Sequence, residues 1–377
     1  MQTEQKNWTQ ESGWEVICDH KLKETAQFVL VFGSREVLKD KIRFDEIREF
    51  YPNAEILLGS TAGEIQDINV SDESIVCTAV KFDKTKLQTS QINIGEVPNS
   101  FSAGKKLADD LPKEDLIHVI VLSDGLKVNG TQLAAGLNKN LPENVSVTGG
   151  LAGDGADFCT TLVGLNEVPS SGTIAAVGLY GSSLRVGYGS VGGWDSFGPE
   201  RLITKSKDNV LYELDDESAL DLYKKYLGEQ AAGLPATGLL FPLSIRTKKG
   251  KSLVRTILAV DEETKSMTFA GDMPEGSFAR LMKANFDRLV DGASSAAEDS
   301  YEKINSNPDL AILISCVGRK LVLGQRIEEE VEGVKDILGE NATITGFYSY
   351  GEISPFVDSM NCQLHNQTMT VTTFTEE

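Results

Sequence analysis

A chain of 377 residues, 40% hydrophobic and 24% charged, has the make-up of a globular protein with room for two or three domains. A formal charge of −20, with no basic stripe against it, argues against nucleic acid and anionic membrane surfaces as partners. No apolar run approaches the ~20 residues that span a bilayer, and the opening MQTEQKNWTQESGWE lacks the basic and apolar regions of a signal peptide, so a cytoplasmic location is expected.

Residues 1–24 read as a partly ordered lead-in. A strand-like run, FVLVFGS (28–34), then precedes a helical stretch with Val37, Leu38, Ile42 and Ile47 on one side, and EILLGSTAGEI (55–65) follows. The same text returns as IHVIVLSDG (117–125) with VSVTGGLAGDG (145–155), and as LAILISCVGR (310–319) with ATITGFYSYGEI (342–353). Leu133, Leu137 and Leu141 mark the second intervening helix. Ile327, Val331, Val334 and Leu338 mark the third, which Gly339 can end. Strand, helix, strand at this spacing predicts a βαβ crossover with parallel strands. Each second strand ends in a glycine-spaced acidic loop, closed by Glu64, Asp154 and Glu352, at the strand edge where open α/β sheets bind ligands.

Between the units, 172–190 reads as a hairpin turning at Gly181-Ser182, followed by the loop VGGWDSFGPE (191–200). A short strand and an amphipathic helix fit 203–228. SLVRTILAV and KSMTFAG flank a DEET turn as a hairpin, and 276–297 reads as helical. The basic stretch 248–251 suits a loop tip. The expected fold is α/β: two related domains, 25–220 and 221–377, built from repeated βαβ units with mixed, largely parallel sheets and added hairpins. Cys18, Cys77, Cys159, Cys316 and Cys362 form no C-x-x-C pair and are expected as free thiols.

Taken together, these segments resemble the FIST family of sensory proteins, with paired FIST N and FIST C domains. The N-terminal likeness rests on GSTAGEI, TGGLAGDG, VGGWDSFGP and TKSKDNVLYELDDESALDLYKKYLG. The C-terminal likeness rests on FPLSI, VRTILAVDEETKSMTFAGDMPEGSFARLM, SCVGRKLVLG, GFYSYGEI and QLHNQTMTV. The resemblance covers about 28–376 and implies a sensor module that binds a small ligand, an amino acid or other small carboxylate, and signals to a separate protein. Some stand-alone members resemble a haem-based nitric-oxide sensor acting on a kinase or cyclic-dinucleotide enzyme.

Candidate ligand contacts follow. Arg319 can offer a bidentate guanidinium to an anion, or pair with a loop acid such as Glu352 or Asp154. Tyr348 and Tyr350, two apart in an extended segment, put both rings on one face, as pocket wall or as core. Asp154 and Glu352 suit ligand or ion-pair roles, Glu64 suits loop hydrogen bonding, and Trp194 suits either pocket or packing. His365 can contact haem or ligand, or fix its own loop; His20 and His118 are its only competitors. No metal-ligand pattern is written. A hydrolase would need Cys316 or Ser315 as nucleophile, His365 as base and Glu352 as orienter. On this reading Arg319→Ala and Tyr350→Phe should spare the fold.

Overall fold

The computed structural model describes residues 1–246, 252–356 and 359–377; the basic stretch 248–251 lies outside them. The chain opens with β1 (Gln2–Thr9) and β2 (Gly13–Cys18), an antiparallel hairpin where the sequence suggests a loose lead-in. β1 is polar in composition, which hides it, yet it pairs along its length with β7. The first unit comprises β3 (Phe28–Gly33), helices α1 (Arg35–Leu38) and α2 (Lys41–Phe50), β4 (Glu55–Ser60), β5 (Glu64–Gln66), β6 (Asn69–Ser71) and β7 (Ile75–Lys81). The second comprises β8 (Lys86–Asn93), α3 (Ser100–Asp110), β9 (Leu116–Ser123), α4 (Gly130–Asn140), β10 (Ser146–Leu151), β11 (Val163–Leu165) and β12 (Thr173–Tyr180).

After β13 (Leu184–Val191) the chain makes an eight-stranded sheet. Its strands are β14 (Asp195–Lys207), β15 (Val210–Leu214), β16 (Glu217–Ser218), β17 (Leu243–Arg246), β18 (Ser252–Arg255), β19 (Ile257–Asp261), β20 (Ser266–Phe269) and β21 (Phe278–Lys283). Helix α5 (Ala219–Leu227) packs on it. The third unit follows: α6 (Phe286–Ile304), β22 (Leu310–Cys316), α7 (Val317–Leu323), α8 (Ile327–Leu338), β23 (Thr343–Ser349), β24 (Gly351–Pro355), β25 (Cys362–His365) and β26 (Met369–Glu376).

The fold is α/β, with three parallel pairs where the repeats predict them: β3 with β4, β9 with β10 and β22 with β23. All other pairings among the described residues are antiparallel, so parallel pairing has a smaller share than the βαβ text suggests. Two local expectations also change. β12 and β13 do not pair across Gly181-Ser182; β12 lies between β9 and β8, and β13 pairs with β26 in a different sheet. Residues 278–283 form β21 rather than the start of a helix, and α6 begins only at Phe286, behind the Asn285 cap. The β19–β20 hairpin forms as expected.

The three units share one strand order and exchange strands. Each sheet runs from a unit's own strands, β1-β7-β3-β4, β8-β12-β9-β10 or β13-β26-β22-β23, to a strand lent by another unit. β11 of the second unit joins β4, β24 of the third joins β10, and β5 of the first joins β23. The lending closes a ring.

Alternation along the strands explains the layers. In β3, Phe28, Leu30 and Phe32 point to a core that also takes Ile120 and Leu122 of β9 and Ile312 and Ile314 of β22. Val29 and Val31 point outward, into the apolar layer shared with Leu38 and Ile47 of α1 and α2. Three sheets therefore face a common centre, where Phe32 stacks on Phe347 with centroids 4.7 Å apart. Gly149 and Gly346 have a steric reason: a Cβ would lie 1.8 Å from the Val121 carbonyl oxygen in one and 2.0 Å from that of Leu313 in the other.

Candidate ligand cleft

The acidic loops that follow the second strands meet one another. The N–H of Gly153 donates to the Ser60 carbonyl at 2.9 Å, and that of Ala62 to Tyr348 at 2.8 Å. The N–H of Tyr350 donates to Leu151 at 3.1 Å, so all three loops are tied by backbone bonds. Their carboxyls then take different roles.

Glu64 is buried and accepts from the hydroxyls of Thr61 and Ser74; burial pushes its carboxyl up to about 7. Glu352 accepts from Ser349 Oγ at 2.7 Å and from Thr368 Oγ1 at 2.8 Å, and burial pushes it up to about 8. Asp154 is the charged hub. Its Oδ2 accepts from Arg35 Nη1 at 2.7 Å and from the N–H groups of Cys159 and Thr160, and its Oδ1 from the Tyr350 hydroxyl.

Several residues read as ligand contacts are packed away instead. Arg319 has no exposed surface. Its guanidinium donates to Glu330 Oε2 from Nη2 at 2.6 Å and from Nε at 3.0 Å, and to the carbonyls of Gly192 and Leu289. The same Glu330 accepts from Tyr348 at 2.7 Å and from Ser315 at 3.1 Å, so Tyr348 is core rather than pocket wall. Trp194 donates its indole N–H to the Gln367 carbonyl at 2.8 Å and packs with Met282, Leu289, Val322 and Leu323. Glu352 is sealed from solvent with its two hydroxyl donors. Of the residues singled out in the sequence, Tyr350 alone lines the cleft described next, with Asp154 behind it.

The cleft lies between the loops of the three-sheet body and the eight-stranded sheet. One cavity, about 450 Å³, is lined by Gly125 to Asn129, Leu151, Phe158 and Tyr350 on the body side and by Asn209, Leu258, Phe269 and Ala270 on the other. A second, about 540 Å³, shares Phe158 and Leu258 and continues past Leu239, Leu240, Ile257 and Leu321. Both fall in the size range of small-molecule sites.

Local chemistry sets these walls. Buried Asp124 accepts the N–H groups of Leu126 and Lys127 through Oδ1, at 2.8 Å each, and that of Gly172 through Oδ2 at 2.7 Å. The turn is thereby held with Leu126 and Lys127 facing out. Asn129 caps α4, accepting from Gln132, while its amide donates at 2.9 Å to Asp272, in the β20–β21 connection and outside the cavity lining. Phe158 adopts φ +51°, uncommon for a bulky side chain, and lies flat on Tyr350 with centroids 4.5 Å apart. Arg255 ties the far wall to the body through the Leu364 carbonyl at 3.0 Å.

The sequence reading missed Leu126, Lys127, Phe158, Leu258 and Leu321. SDGLKVNG does follow a first strand at its carboxyl edge, which is the signal that could have found Leu126 and Lys127.

A model of the FIST N domain matches residues 27–217, and a model of the FIST C domain matches 219–355. The chain belongs to the FIST family. FIST domains are sensory domains, which supports a sensor role. The cleft takes walls from both matched FIST segments, with Phe158 in the first and Leu258, Leu321 and Tyr350 in the second. Among solved structures, a cyanuric acid hydrolase from A. caulinodans aligns at 8% identity and a TM-score of 0.34, covering 94% of this chain and 90% of that one; so distant a likeness carries no argument. No curated protein matches the chain. No helix among the described residues is long and apolar enough to cross a membrane.

The haem and hydrolase alternatives for this FIST chain meet local obstacles. His365 lies buried with Nε2 at 3.0 Å from the Ser354 carbonyl, and burial lowers its pKa to about 4. His118 is held at both nitrogens by Ser146 and Thr148, and His20 sits against the Thr3 carbonyl. None lines the cleft, so the residues there do not fit an iron held through histidine. The Cys316 thiol is pushed up by burial, Ser315 donates to Glu330, and His365 reaches neither. No triad is assembled from these groups.

Proposed function

We propose that this FIST chain is a small-molecule sensor whose ligand, a small carboxylate, occupies the cleft between the three-sheet body and the eight-stranded sheet, and whose state is read by a separate protein such as a kinase or a cyclic-dinucleotide enzyme. One observation carries the reading: Leu126, Phe158, Leu258 and Leu321, each more than a third exposed, all line this one cleft. Apolar side chains gathered in a concavity mark a binding surface, whereas scattered ones need no explanation. Covering them returns roughly 25 cal/mol per Å². A ligand touching both walls biases their relative placement by its differential affinity for two arrangements, which is what a sensor requires.

The test is a thermal-shift screen of amino acids and other small carboxylates, with mass spectrometry of co-purified ligand. Any hit is repeated on Phe158→Asp and Leu258→Asp. Both variants should fold, since both positions are exposed, and both should lose the hit. A ligand indifferent to both changes binds elsewhere.

A further inference from the structure

We propose that the ligand is an amphipathic carboxylate without an ammonium group, its acid end at Lys127 and its apolar body against Phe158, Leu258 and Leu321. The inference rests on the cleft being the ligand site and goes further, to the chemical class that the cleft selects.

Charge distribution carries it. The chain has 56 acidic and 36 basic residues, so an average concavity on its surface would hold an excess of carboxylates. The residues lining the two adjoining cavities include no acid at all, and their single charged side chain is Lys127. Lys127 is exposed, and no carboxylate lies within ion-pair distance of it among the described residues. A free cation in an otherwise uncharged cleft selects for one negative group.

The remaining polar groups are already engaged. Asn129 is held between Gln132 and Asp272, and Asn209 donates to the Phe269 carbonyl at 2.7 Å. The Tyr350 hydroxyl donates to Asp154, and that of Thr237 to the Gln230 carbonyl. An α-ammonium entering here would lose water and meet no carboxylate in return. A free amino acid is therefore disfavoured against the same skeleton without its amine.

Shape supplies the other half. Lys127 stands on the first cavity, while the second is walled by Leu239, Leu240, Ile257, Leu258 and Leu321, with Phe158 and Leu258 between them. A molecule spanning both has its charge at one end only.

The experiment titrates octanoate, 2-aminooctanoate and methyl octanoate into the full chain by calorimetry, on wild type, Lys127→Met and Leu258→Asp. Octanoate should bind at least tenfold tighter than either analogue. Lys127→Met should weaken octanoate about tenfold or more, to the level of the ester, and leave the ester unchanged. Leu258→Asp should weaken all three. Equal or tighter binding of 2-aminooctanoate, octanoate binding untouched in Lys127→Met, or no octanoate binding at millimolar concentration each overturns the ligand class. The cleft itself falls separately, if octanoate or a hit from the screen binds Leu258→Asp as it binds wild type.

Discussion

Glu330 receives two hydrogen bonds from Arg319, and neither side chain reaches solvent. A guanidinium at the end of a strand invites a ligand-binding reading, but this one spends its donors on α8 and two backbone carbonyls, tying α7, α8 and the Gly192 loop into one block.

Removing one partner is expected to be severe. Arg319→Met leaves Glu330 buried without its guanidinium partner, and should cost about 3–5 kcal/mol. This reverses the expectation that Arg319 can be truncated without harm to the fold. The double variant Arg319→Met with Glu330→Met should recover much of the loss, because no lone charge remains. Urea melts of the single and double variants decide it; equal losses would show that the pair is not coupled.

Tyr350→Phe should be mild. Asp154 keeps Arg35 and two backbone donors, and the ring keeps its stack on Phe158. The expected loss is about 1–2 kcal/mol with ligand affinity changed little, read by parallel melts and titrations.

Asp124→Ala removes the acceptor of the Leu126, Lys127 and Gly172 N–H groups. Asp124 is fully buried and holds three N–H groups, so a loss of about 3 kcal/mol is expected, along with weaker binding of any ligand that uses Lys127. Hydrogen exchange at Leu126 and Lys127 should quicken; unchanged protection there would show that the turn is held by other means.

Stability should fall as the pH rises from 6.5 toward 8.5. Folding raises the carboxyls of Glu64 and Glu352 from 4.5 to about 7 and about 8. Each contributes stability that is complete below 4.5 and lost as pH climbs through its folded value. His118 and His365 have the opposite sign: lowered from 6.5 to about 3 and about 4, they contribute stability above 6.5 that is lost on acidification. Above 6.5 the two glutamates lead, at up to about 1.4 kcal/mol per pH unit each, and the buried thiols of Cys77, Cys316 and Cys362, raised from 9.0, add a loss of the same sign near the top of the range. Glu352→Gln should flatten this limb in denaturant titrations at pH 6.5, 7.5 and 8.5. A slope identical to wild type would mean that Glu352 ionises freely in the folded chain.

The repeats were legible because β-branched runs and Gly-rich turns state a βαβ unit locally. The exchange was not, since β5 and β11 are three residues long and their partners lie far along the chain. Glu330 hides in the run Glu328-Glu329-Glu330, which reads as a solvated face. Its place at i+3 from Ile327 and beside Val331 on the apolar stripe is the clue that it turns inward. The cleft escaped notice for another reason: its walls come from 125–129, 158, 258 and 321, and only the folded chain brings them together. Tyr350, which lines the cleft, stands out in the sequence because it sits in one of the repeated loops.

The ring of lent strands also sets an order on assembly during synthesis. The first sheet can be completed once β11 has been made, but β5, translated early, waits for Thr345 to pair with Gln66, and β10 waits for β24. Until then β10 and the β5–β6 hairpin present bare edges, of the kind that recruit strands from other chains. A nascent chain stalled anywhere between β11 and β24 is thus open to mispairing, and closure of the last sheets is a late, long-range event of the sort that makes folding slow.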